Sequence, residues 1–212
     1  MAYDFDGTDD YIETATAVVT AAQLSMACLF NSDSITAQQA LMSIHNGTEN
    51  QMFNLQAMGS IAGDPIRAQT VAGGSAVNAD SATGYSLTTW THAAARFASA
   101  TDRRAYINGV GGTANTTSRT PSGVNTTALG YVYAAGVRAR FLNGRLAEAA
   151  IWNTDLTDDE FAALADGYRP TLIRPNKLVF YAPLIREALE YRGGLSLTVS
   201  APVVAVHTRR IG

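Results

Sequence analysis

Residues 144–166 read Gly144-Arg-Leu-Ala-Glu148-Ala-Ala-Ile-Trp152-Asn-Thr-Asp-Leu156-Thr-Asp-Asp-Glu160-Phe-Ala-Ala-Leu-Ala-Asp166. Two patterns meet in this stretch. As far as Trp152 the residues are small or apolar apart from Arg145 and Glu148, and they follow the turn signal Asn143-Gly144, which predicts a strand over 142–152. At Thr157 the pattern changes. Thr157-Asp-Asp-Glu160 is a capping box, in which the threonine oxygen accepts from a first-turn amide and the glutamate reaches back. Asp158 and Asp159 sit where the helix dipole favours negative charge. Phe161, Leu164 and Ala165 share one helical face, and Gly167 is a natural stop. A short helix near residues 158–166 is therefore expected directly after a buried strand.

No other segment carries such a helix signal. Upstream, Phe5-Asp-Gly-Thr-Asp-Asp-Tyr11 reads as strand, tight turn, strand, with Gly7 supplying a permissive backbone. Leu24, Met26, Cys28 and Phe30 alternate with smaller residues, the period of a half-buried strand. Cys28, the lone cysteine, falls in this row and reads as a small buried hydrophobe. Residues 40–45 form a further apolar run, closed by the hairpin signal Asn46-Gly47. Phe53, Leu55 and Ala57 alternate with Asn54 and Gln56. Residues 61–83 suggest strands, such as Arg67 to Val71, without clear ends. Residues 90–97 and 104–108 predict two more strands, the second ending at Asn108-Gly109. Residues 111–125 read as a surface loop. Beyond the helix, Pro170 and Pro175 argue for an extended crossing. Strands are expected over 177–184, around Leu195 to Val199, and over 203–206, with Pro183 at a strand edge or end. Many short strands, frequent turns and one helix predict an all-β antiparallel β-sandwich. The alternating rhythm of a parallel sheet is missing, and no repeat of solenoid length occurs.

Composition agrees. The 212 residues suit one large domain with a core that needs no disulfide or metal staple. Charged residues are 16% of the chain, below the ~25% of typical domains. The net charge of -3 argues against a nucleic-acid partner. No apolar run approaches the roughly 20 residues of a membrane-spanning helix. The opening Met1-Ala-Tyr-Asp-Phe5 is strand-like and lacks a signal-peptide pattern, so a cytoplasmic origin is expected. Lys177 is the single lysine. The other basic residues are arginines, which suit planar bidentate contacts.

Three segments, in this order, resemble the laminin-G-like family with its concanavalin-A-like jelly roll: Phe5-Asp-Gly-Thr-Asp-Asp-Tyr-Ile12; Trp90-Thr-His92 with Arg104-Ala-Tyr-Ile-Asn-Gly109; and Gly144-Arg-Leu-Ala-Glu148 with Ala150-Ile-Trp-Asn153 and the capping box. The resemblance covers most of residues 1–168, taken as the domain. Residues 169–212 are taken as a C-terminal extension that packs on the sandwich or mediates assembly, with deletion expected to leave a folded β domain. Leu178-Val-Phe-Tyr-Ala-Pro-Leu-Ile-Arg186, Arg192-Gly-Gly194 and His207-Thr-Arg-Arg-Ile211 are similar to the ends of laminin-G-like proteins of tailed bacteriophages. That similarity implies a virion component, a capsid decoration or tail-associated protein. It would be a homo-oligomer meeting major capsid or tail proteins. The alternative is a lectin-like module that attaches to host-surface glycans.

Enzyme chemistry finds little support. Glycoside hydrolysis needs two carboxylates about 5–10 Å apart, and Glu148 has no acidic neighbour on its strand face. It reads as a structural polar contact. His45, His92 and His207 lack metal spacing, and His92 reads as a packed strand residue. No nucleophile elbow or phosphate loop occurs. The expectation is a non-enzymatic protein. Laminin-G-like folds often bind calcium at a loop rim, which suits oxygen ligands. Asp4, Asp6, Asp9 and Asp10 are the densest acidic cluster, and they read either as calcium ligands or as turn hydrogen-bonders. Tyr85, Tyr131 and Tyr133 lie in or beside Gly-rich segments, as sugar-stacking rings or as core and interface residues.

Overall fold

The computed structural model describes residues 1–206; the pattern over 207–211 lies outside the described residues. Two antiparallel sheets face each other. The first contains β1 (Ala2–Asp6), β3 (Leu24–Ser32), β8 (Thr91–Ser99), β9 (Asp102–Ile107), β10 (Val110–Gly111), β14 (Asn143–Trp152), β15 (Leu178–Ala182) and β17 (Val203–Ala205). Its order is β10-β9-β8-β3-β14-β1-β17, with β15 also paired to β14. The second runs β16-β2-β11-β4-β5-β6-β7. Its members are β2 (Tyr11–Thr14), β4 (Gln38–His45), β5 (Gln51–Met58), β6 (Pro65–Ala72), β7 (Ser75–Gly84), β11 (Thr126–Leu129) and β16 (Thr198–Ser200). A separate hairpin joins β12 (Val132–Ala134) to β13 (Val137–Ala139). The helix α1 spans Asp158–Ala165, where the capping box predicts it.

The alternation in sequence becomes the core. Met26, Cys28 and Phe30 of β3 point between the sheets with Ala93, Ala95 and Phe97 of β8. Facing them are Ile44 of β4 and Phe53, Leu55 and Ala57 of β5. Phe53 and Phe97 meet edge to face at 5.3 Å, as do Phe30 and Tyr85, a geometry that adds about 1 kcal/mol per pair beyond burial. Cys28 is buried here, and burial pushes its thiol up, away from reactivity. Arg103 is also fully buried. Its guanidinium donates to Thr70 Oγ1 at 3.1 Å and to the carbonyls of Thr117 at 2.9 Å and Ala100 at 2.7 Å, which ties the 113–117 loop to the core.

On the other side of the first sheet, Phe161 and Leu164 of α1 pack on Tyr106 and Trp152. Phe161 stacks on Tyr106 with ring centres 4.1 Å apart. The Trp152 indole donates to Ile173 O at 2.7 Å, the partner a buried indole needs. Both halves of the capping box form. Asp158 also accepts from Tyr106 at 2.6 Å and pairs with Arg104 at 2.8 Å. The Asn108-Gly109 turn has φ of +47° and +79°. Glycine is needed there twice over, because a Cβ on Gly109 would lie 2.7 Å from Ala162 Cα of the helix.

β14 changes partner along its length. Its first half pairs with β1 and its second half with β15. A bulge at 147–150 marks the change, and Glu148 sits in it with φ +53°.

Candidate functional site

The outer face of the second sheet carries an unusual row of amides. Each belongs to a strand whose alternate residues fill the core. Phe53, Leu55 and Ala57 point in, so Asn54 and Gln56 point out. The register places Asn54 opposite Gln69, and Gln69 opposite Asn78. The side chains then link across four strands. Gln38 donates to Gln56 at 2.9 Å, Gln56 to Gln69 at 3.5 Å, Asn54 to Gln69 at 2.9 Å, and Gln69 to Asn78 at 2.9 Å. Beside this row Arg67 grips Asp80 through two bonds of 2.7 and 2.8 Å. Arg140 lies close enough that burial and the Arg67 charge both push its pKa down.

Asn54, Gln56 and Gln69 in the middle of the row are buried, whereas Gln38 and Asn78 at its ends and the neighbouring Arg67, Asp80 and Arg140 are half-exposed. Asn54 Oδ1 is buried without a hydrogen-bond partner among the described residues. An amide both donates and accepts, and a hydroxyl does the same. A linked amide row next to a fixed guanidinium therefore matches a surface of hydroxyl groups.

The β12–β13 hairpin closes one end of this face. Val132 and Tyr133 pack on Ala40, Met52 and Val71. Tyr131 is fully buried, with its hydroxyl bonded to Glu13. Arg138 pairs with Glu13 at 2.8 Å and lies 4.4 Å over Tyr11. Tyr85 is buried against Phe30 and donates to Ser34 O at 3.0 Å. The Tyr131 and Tyr85 rings are both enclosed by protein. Tyr133 alone of the three is half-exposed, beside His45 at 5.1 Å.

The acidic cluster lies elsewhere, in the β1–β2 turn. Carboxylate oxygens of Asp6, Asp9 and Asp10 lie within 4.8 Å of one another. Asp4 is not one of this group and pairs with Arg145 at 3.7 Å. Asp6 Oδ1 accepts from the Thr8 and Asp9 amides, and Asp10 Oδ2 from the Asp6 amide. Burial and the neighbouring carboxylates push the Asp10 pKa up, while the amide bonds hold that of Asp6 down. Three hard oxygens and a repulsion that a cation would relieve fit calcium; the turn hydrogen bonds account for two of those oxygens. Glu148 accepts from the Tyr181 hydroxyl at 2.5 Å, a structural contact across β14 and β15.

The family model described as the concanavalin A-like lectin/glucanases superfamily matches residues 6–162. The chain belongs to this superfamily. No curated protein sequence matches it. Among solved structures, it is similar to a heptameric SAP-like pentraxin from Limulus polyphemus, at 14% identity and TM-score 0.66, over 96% of this chain and 94% of that one. It is also similar to domain 4 of AbnA, an extracellular arabinanase from Geobacillus stearothermophilus, in complex with arabinotriose, at 18% identity and TM-score 0.64, over 77% and 76%. A third is the Ruminococcus gnavus sialidase CBM40 bound to α2,3-sialyllactose, at 15% identity and TM-score 0.60, over 78% and 98%. At these identities the likeness is one of fold. Sequence reasoning reached the superfamily but did not see the amide row. Its signal was present in Asn54 and Gln56, which alternate with core residues; the ends of β6 and β7, which supply Gln69 and Asn78, were not legible.

Proposed function

We propose that the protein is a carbohydrate-binding module and that a glycan chain lies along the outer face of the second sheet. The observation that carries this reading is the linked amide row from Gln38 to Asn78 beside the Arg67–Asp80 pair. Sugar hydroxyls meet the half-exposed amide and guanidinium groups, and Tyr133 offers an apolar edge. Two structural neighbours, the arabinanase domain and CBM40, were solved with bound sugars, which supports the reading by analogy of fold. A glycan array is the test. Retention of defined glycans that drops about tenfold or more in Arg67→Ala and Asn78→Ala is expected; a protein that retains no glycan on the array sinks the reading.

Calcium at Asp6, Asp9 and Asp10 belongs to the same proposal. The expected result is a rise in melting temperature on calcium titration, lost in Asp9→Asn. An unchanged melting temperature removes the metal.

A second reading, assembly in a virion through capsid or tail contacts, is favoured by one observation. Tyr191, Val199, Val203 and Val204 of the C-terminal segment are exposed apolar residues, Tyr191 and Val203 each to 63%. Sedimentation of the wild type as an oligomer and of Tyr191→Ser with Val203→Ser as a monomer would support it. A monomeric wild type would count against it.

A further inference from the structure

A cavity of about 320 Å³ opens on the outer face of the first sheet, opposite the amide row. Its floor is β3, β8 and β14, and α1 with the chain that follows it forms a wall. Register explains how its polar groups converge. His92 of β8 pairs with Leu29 of β3, which pairs in turn with Ala147, next to the bulged Glu148. The bulge takes Glu148 out of the strand's regular alternation, and the glutamate lines the cavity with His92. Trp90 and Tyr168 line it as well, Tyr168 being 56% exposed.

His92 is 4% exposed, and neither ring nitrogen has a hydrogen-bond partner among the described residues. Its amide is held by Asn108 Oδ1 at 3.1 Å, so the strand position is fixed while the imidazole is left to the cavity. Two buried polar atoms without partners are costly. Burial lowers the His92 pKa to about 4, which leaves a neutral ring offering one donor and one acceptor.

We propose that this cavity is a second ligand site and that it takes one uncharged sugar ring. Its volume is at the small end of ligand pockets, about 300–1,000 Å³, which suits a single ring rather than a chain. Glu148 and Arg169 are its charged lining residues. They are of opposite sign, so the site has no preference for an ion. An apolar ligand would leave both imidazole nitrogens buried without a partner. Adjacent hydroxyl groups answer both: each can accept from one imidazole nitrogen, donate to the other, or donate to Glu148. The apolar face of the ring lies against the aromatic side chains. The site is distinct from the amide row and stands without it.

Saturation-transfer NMR with free hexoses and N-acetylhexosamines, and with nucleosides as a planar comparison, tests this. Transfer to at least one sugar is expected in the wild type and in Arg67→Ala. With Arg67→Ala silencing the second sheet, affinity should fall about tenfold when Glu148→Gln or Tyr168→Ala is added. Tyr168 is exposed, so its variant keeps the fold even where a cavity-floor variant does not. Transfer to nucleosides alone, transfer to no sugar, or full transfer in both variants would overturn the proposal. Loss of transfer in Arg67→Ala would also overturn it, and would assign the sugar to the second sheet.

Discussion

His45 and His92 sit on opposite sheets, and burial holds each imidazole neutral until about pH 4. His45 accepts from the Gly47 amide at 3.0 Å through Nδ1, with Glu13 favouring and Arg138 opposing its protonation. Unfolded histidines titrate near the usual ~6.5. Between that value and about pH 4 the unfolded chain binds protons that the folded chain does not, so stability falls as pH drops through this window and levels off below it. Each histidine contributes up to roughly 3 kcal/mol of this loss. Denaturant unfolding at pH 7, 5.5 and 4.5 checks it. Wild type should lose stability over that range, and His92→Gln and His45→Gln should each flatten the slope; parallel slopes would mean that neither histidine is neutral in the fold. The sequence placed both on strands, but strand membership does not say which face is covered. His92 is buried because α1 and the chain after it overhang β8, a contact made across more than seventy residues of chain.

Local chemistry governs α1 more directly. Thr157 and Glu160 close the capping box within four residues, so sequence alone located the helix start. Thr157→Ala should cost about 1 kcal/mol, measurable as a lower denaturation midpoint with an unchanged slope. A null effect would show that packing of Phe161 and Leu164 alone sets the helix. Asp158 has a second role that spacing did not reveal. Besides favouring the dipole, it receives Tyr106 and Arg104 from β9, which locks the helix over the first sheet. The hairpins show the same division. Asn108-Gly109 is a two-residue turn with both φ positive, as its dipeptide implies. Asn46-Gly47 instead opens a longer loop closed by Asn46 N to Gln51 O at 3.2 Å.

At the scale of the whole molecule, the C-terminal strands are divided between the sheets: β15 pairs with β14, β17 with β1, and β16 with β2. Phe180, Ala182 and Leu184 belong to the main core. A chain cut after residue 168 should therefore lose cooperative unfolding and bind hydrophobic dye, at variance with the sequence-based expectation that residues 1–168 stay folded alone. A sharp thermal transition for residues 1–168 would show that the two sheets hold without these strands.

What the sequence by itself determined is what short-range pattern encodes: period-two alternation for the strands, one capping box for the helix, turn dipeptides between them, and an acidic cluster at Asp4, Asp6, Asp9 and Asp10. Those signals act between residues a few positions apart, so they survive being read in one dimension. The tertiary structure decided which faces are covered and which side chains meet. The amide row joins residues 38, 54, 56, 69 and 78 through strand register, and the cavity joins His92 to Glu148 through a bulge and a helix overhang. Register and overhang are settled by packing of the whole core, which no local window of sequence contains.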